Sequence, residues 1–128
     1  LVAQGVAANM EGLAQSTGRD GGLLDYARVR GITLQAWSPF QRGFFEGTIF
    51  DDPELGGLQG VLRRLADQHG STPTAIATAW ITRHPARMQV VLGTTRASRV
   101  AEAAAGAGIA LSRAEWYELF SAAGYEIP

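Results

Sequence analysis

The sequence predicts an α/β protein built as the end of a parallel barrel, and three observations carry that reading. Two short apolar segments, Ile32–Trp37 and Met88–Leu92, have the residue types of strands. The first runs into Ser38-Pro39-Phe40 and the second into Gly93-Thr94-Thr95, turns of the kind that present unpaired N–H groups to an anion. Apolar residues between and after the two segments recur at helical spacing, so strand and helix alternate as they do in parallel sheets.

Taken in order, the chain opens on an apolar, alanine-rich stretch, Leu1–Gln15, and a Gly- and Arg-containing loop, Ser16–Gly22. Leu23, Leu24, Tyr26 and Ala27 then define the face of a short helix, and Gly31 stands where a left-handed C-terminal cap is needed. The first strand follows at once. From Phe40 to Gly57 glycine, phenylalanine and acidic residues replace the periodic pattern, which predicts an irregular connection longer than a minimal loop. Leu58, Val61, Leu62 and Leu65 resume helical spacing, with Arg63, Arg64 and Asp67 opposite and Gly70 as the stop. Thr72 and Pro73 supply the N-cap and first position of the next helix, which turns Ile76, Ala79 and Trp80 inward and ends near His84-Pro85. After the second strand, Ser98 is positioned to cap a short helix reaching Ala105, with Val100, Ala103 and Ala104 as its packing side and Gly106 and Gly108 as its end. Ser112-Arg113-Ala114-Glu115 is a capping box. Trp116, Leu119 and Phe120 mark one face of the last helix, which closes near Gly124.

Composition narrows the function. A chain of 128 residues that is 46% apolar and 18% charged holds one domain or part of one. Its net charge of −1 offers nucleic acid or an anionic membrane no long-range attraction, although local arginines can still meet a phosphate. The absence of cysteine excludes disulfides, thiolate zinc sites and cysteine nucleophiles. No apolar run approaches the roughly 18 residues that span a bilayer, and the first residues lack a basic leader, so a cytoplasmic protein is expected. All 11 basic residues are arginine; chemistry that needs a lysine ammonium cannot be run by this chain alone.

The sharpest constellation is Gly93-Thr94-Thr95-Arg96-Ala97-Ser98-Arg99. Backbone amides and threonine hydroxyls can hold a phosphate while Arg96 or Arg99 pairs with it or stacks on a base. A capped helix start with solvated arginines accounts for the same residues. At the other strand end, Trp37 can stack on a flat cofactor ring and Ser38 can bond a phosphate oxygen; a core tryptophan before a proline turn is the alternative. The helices over Leu58–Gln68 and Pro73–Arg83 have the spacing of a helix-turn-helix, but the second offers mostly Ala, Ile and Thr to a groove, so nucleic acid is not expected as a partner. His69 and His84 lie near helix C-termini, where the dipole favours a cationic imidazole, and neither has companions at metal-ligand spacing. No metal site and no catalytic tyrosine is assigned.

With these residues in place the chain resembles the C-terminal portion of an aldo/keto reductase, of the bacterial predicted-oxidoreductase branch. The resemblance rests on Leu24-Asp25-Tyr26, on Gly31 through Pro39, on Ala75–Trp80 with Arg83-His84-Pro85-Ala86, on Val91–Thr95 and on Leu111–Tyr117. It covers about Gly22 to Pro128, while the first twenty residues match only the branch. It implies a (β/α)8 TIM barrel, of which residues 1–128 are a partial domain holding the last two strands and their helices, and it implies NADP(H) bound without a Rossmann domain. Carried over by position, Trp37 takes the place of the aromatic residue that stacks on the nicotinamide, and Ser38, Pro39 and Phe40 line the pyrophosphate. Gly93, Thr94 and Thr95 lie along the adenosine 2′-phosphate, Arg99 beside the adenine and phosphate, and Glu102 at the adenine edge. Gly93 replaces a phosphate-binding lysine of many members, and Ala103 an asparagine that contacts adenine; the preference between NADP(H) and NAD(H) stays open. The family's catalytic Asp, Tyr, Lys and His belong to earlier strands and are not identifiable here. The resemblance therefore implies the cofactor-binding part of a reductase of aldehydes or ketones, inactive by itself and able to self-associate through unclosed barrel edges. A non-catalytic, barrel-derived binding or interaction protein is the alternative.

Overall fold

A computed structural model describes residues 22–41 and 47–125. The stretch Leu1–Gln15, most of the loop before Gly22 and residues 42–46 of the long connection lie outside them. Helix α1 (Leu23–Arg30) leads into strand β1 (Gln35–Trp37); a 3-10 turn (Pro53–Leu55) leads into α2 (Gly56–Gln68) and α3 (Pro73–Thr82); strand β2 (Gln89–Val91), α4 (Ala97–Ala105), a second 3-10 turn (Gly106–Gly108) and α5 (Arg113–Ala122) complete the order. β1 and β2 pair in parallel, with Gln35 opposite Gln89, Ala36 opposite Val90 and Trp37 opposite Val91. The α/β class and the parallel pairing match the sequence reading. Among the described residues the sheet has these two strands and does not close on itself, as expected of part of a barrel.

Both strands are shorter than their apolar runs. Ile32, Leu34 and Met88 precede the paired residues and Leu92 follows them, with the Leu34 carbonyl still accepting the Gln89 N–H at 2.8 Å. The apolar run sets the composition of a strand, but a ladder extends only where a partner lies opposite.

The main core lies among the helices. Ile49, Leu58, Leu62, Leu65, Ile76 and Leu119 are fully buried, joining α2, α3 and α5 into one cluster. α3 packs against α2, α4, the second 3-10 turn and β2, so Ala75, Ile76, Ala77, Thr78, Ala79 and Ile81 are all buried. A helix apolar on nearly every side belongs in such a position. Its start is as the sequence indicates: Thr72 Oγ accepts from the Ala75 N–H at 3.2 Å, with Pro73 next. The α3–α4 crossing is tight at Gly106, where a Cβ would lie 2.2 Å from the Ala75 carbonyl oxygen; only glycine fits there.

Four local expectations are corrected. The α1 face is mostly exposed, with Ala27 alone buried and Tyr26, Leu24 and Val29 open, because no described element covers it. α4 begins at Ala97 with Arg96 as N-cap, and its cap makes no side-chain hydrogen bond; Ser98 lies inside the first turn. The threonine before it does part of a cap's work, Thr94 Oγ accepting from the Arg96 N–H at 3.2 Å. Val100 and Ala104 are exposed on α4, leaving Ala103 as its buried contact. His84 is no cationic cap: burial holds its imidazole below the ordinary value, Arg28 lowers it further and Asp25 opposes, and Nδ1 accepts the Ala86 N–H at 3.1 Å. His69, by contrast, is the C-cap of α2 and pairs through Nε2 with Glu115 Oε1 at 2.9 Å, a carboxylate brought from 46 residues away.

Candidate functional site

Parallel pairing in register places the C-terminal ends of β1 and β2 side by side, and the two motifs singled out in the sequence meet there. β1 ends at Trp37, and Ser38 turns the chain in the left-handed region with φ +45°. A non-glycine residue held there is uncommon and strained. The turn is closed by the Gln41 N–H donating to the Ser38 carbonyl at 3.1 Å. Opposite it, the position a Cβ on Gly93 would take lies 3.6 Å from Ser38 Oγ, so the serine hydroxyl stands directly over the glycine.

The side chains at this end divide into three groups. Trp37 is 53% exposed among the residues of this chain. Thr95, Arg96, Ser98 and Arg99 are exposed around the start of α4, with Glu102 partly buried one turn further on. Because the N-cap side chain accepts no hydrogen bond, the first N–H groups of a nine-residue helix point outward with the positive end of the dipole behind them. Phe40 departs from the set: its ring packs on Phe50 with centroids 5.5 Å apart and joins the rim of the core cluster.

This end can hold an elongated anionic molecule with a flat ring. It offers an exposed indole, a close approach of the Ser38 and Gly93 turns, and two exposed arginines at the start of α4, the kinds of group that can meet a flat ring and a negative charge. An open groove of about 430 Å³ also runs beside β2 between α3 and α4, lined mainly by Met88, Val90, Val100 and Ala103 with Thr78 and Thr82. It is apolar and lacks charge. Among the described residues, no three His, Asp or Glu side chains converge as a metal site, and no helix is long and apolar enough to cross a membrane.

Sequence reasoning missed one feature of the sheet. Gln35 and Gln89 are register partners, and Gln35 Nε2 donates to Gln89 Oε1 at 3.2 Å. Two glutamines 54 positions apart carry no local signal of this contact. Only the register brings them opposite each other.

Comparison with known proteins adds an independent line. The Aldo/keto reductase family profile matches residues 8–123, starting ahead of the Gly22 boundary at which the resemblance begins. A 6-dehydroglucose reductase of Agrobacterium fabrum is 35% identical over 103 residues, 80% of this chain and 33% of that protein. A 6-dehydroglucose reductase of Novosphingobium aromaticivorans is 32% identical over 85% of this chain and 36% of its own length. An uncharacterized oxidoreductase of Bacillus subtilis is 27% identical over 84% of this chain and 36% of its own length. The chain thus spans about a third of the length of these relatives.

Proposed function

The chain belongs to the aldo/keto reductase family of oxidoreductases, and on that premise we propose that it forms the NADP(H)-binding part of a carbonyl reductase. The observation that carries the proposal is the meeting of two motifs at one end of a parallel pair: Trp37-Ser38 on β1 and Gly93-Thr94-Thr95 on β2, with Gly93 against Ser38 Oγ. The residues fit a dinucleotide by their chemistry. A half-exposed indole suits the nicotinamide ring, the Ser38 and Pro39 turn suits the pyrophosphate, and Thr94, Thr95 and Arg99 at the open start of α4 suit an adenosine 2′-phosphate. Glu102, one turn on, suits the adenine edge.

The bound cofactor supplies hydride chemistry; this chain's residues bind and orient it. Trp37 fixes the height of the ring, and the paired turns fix the phosphates. The chain has no lysine, so a lysine-assisted proton donor comes from outside these residues, and the 128-residue chain alone is expected to show no reductase turnover. Two relatives are named for 6-dehydroglucose, which makes that ketone or aldehyde class the first substrate to assay with the complete protein.

Arg99 tests the reading. A guanidinium pairs with the 2′-phosphate of NADPH by charge-assisted hydrogen bonds that NADH cannot make, so Arg99→Ala should weaken NADPH binding by about 1.5–3 kcal/mol and NADH binding far less. Fluorescence titration of both cofactors in the complete protein measures this, with Arg96→Ala beside it because the two arginines can share one phosphate. Equal losses for both cofactors, or none from either arginine, would leave Gly93–Arg99 as a helix start only.

A further inference from the structure

The open face of the sheet carries a polar pair that the cofactor reading does not use. Side chains alternate along a strand, so Gln35 and Trp37 of β1 share a face with their partners Gln89 and Val91 of β2. All four are exposed, whereas Ala36 and Val90 on the opposite face are partly covered. The arrangement is a two-by-two patch in which an amide pair lies one step below an indole and a valine.

We propose that Gln35 and Gln89 are positioning residues for Trp37, acting through the register of β1 against β2; the claim rests on the cofactor-seat reading above. Three-residue strands have few ladder bonds, and a one-residue slip would send every side chain to the other face. The Gln35–Gln89 hydrogen bond joins the two residues where the register sets them opposite each other. It therefore favours the alignment that sets Trp37 beside Val91 and Ser38 over Gly93. The backbone bond from the Gln89 N–H to the Leu34 carbonyl, 2.8 Å, closes the same end of the ladder. Beyond Trp37 the chain enters the left-handed Ser38 turn at once, so an alignment error at Gln35 passes directly into the indole and the hydroxyl.

The test uses the complete protein with Gln35→Leu, Gln89→Leu and the double variant, and two readouts. The first needs no ligand: Trp37 emission and its quenching by acrylamide, each isolated as the difference from Trp37→Phe in the same background. The second is the affinity for NADPH set against that for 2′,5′-ADP, a probe of the adenosine end alone. Each single variant should alter the Trp37 signal and raise the NADPH dissociation constant about threefold, within the usual net worth of an intramolecular hydrogen bond, while 2′,5′-ADP binding changes less than twofold. The double variant should be no worse than either single, because each single already removes the one hydrogen bond the two residues share and two leucines keep the same cross-strand pairing. An unchanged Trp37 signal in both singles, or strictly additive losses in the double, would overturn the proposal. If the parent protein binds neither NADPH nor 2′,5′-ADP, the cofactor reading fails, and the Trp37 signal alone still decides the positioning claim.

Discussion

At the residue scale, Glu115 shows how one side chain serves several partners. It closes the capping box of α5, accepting the Ser112 N–H at 2.6 Å while Ser112 Oγ accepts the Glu115 N–H at 3.2 Å, and its other oxygen meets His69 Nε2. The Ser112 hydroxyl first and then its N–H hold the carboxyl at about 2; burial opposes them, and His69 adds a lesser lowering. A carboxyl depressed in the folded state stabilises it above the ordinary value near 4.5, and that contribution fades as the pH falls towards 2. Urea unfolding between pH 6 and 2 should therefore show a steeper acid loss for the parent than for Glu115→Gln, the two curves converging at the acid end. Parallel curves across the range would remove Glu115 from the account. Ser112→Ala should separately cost about 1 kcal/mol at pH 7, the usual worth of an N-cap.

At the scale of elements, two contacts fix how the helices cross. Trp80 of α3 and Trp116 of α5 stack with centroids 4.8 Å apart and planes 6° from parallel, and each indole N–H donates to the other's backbone carbonyl, at 3.0 and 2.9 Å. Phe120 and Tyr125 continue the stack. The second contact is Gly106 against Ala75. Gly106→Ala should destabilise the fold by about 2 kcal/mol or more, since the added methyl meets backbone that cannot turn aside. Gly108→Ala, where nothing lies within 4 Å, is the control and should cost far less; equal midpoints of denaturation for the two would contradict the crossing geometry. The helices themselves were legible from capping and spacing. The reciprocal indole bonds were not, because they join positions 36 residues apart.

At the scale of the whole molecule, the described sheet is open and its surroundings are apolar. Val29, Ile32, Trp37, Val91 and Val100 are exposed together with Tyr26 and Leu24, and β1 and β2 pair with each other alone among the described strands. Unpaired edges next to apolar side chains favour pairing with further chain. Expressed by itself, the 128-residue chain is expected to associate as its concentration rises, measured by sedimentation velocity from micromolar concentrations upward. A monomer with a sharp cooperative melt across that range would show that the edges are protected.

The sequence by itself determined the α/β class, the order of the elements, the caps at Thr72, Ser112 and Gly31, and the strand ends that carry the cofactor reading. These depend on spacing within a few residues, which is where capping, turn chemistry and helical period act. Tertiary structure alone decided the length of the strands, the buried setting of α3, the neutral preference of His84, the His69–Glu115 pair and the exposure of the α1 face. It alone placed Ser38 over Gly93 and Gln35 opposite Gln89. Each of these depends on which distant residue the fold brings alongside, and register between two strands more than fifty residues apart leaves no mark in either strand read alone.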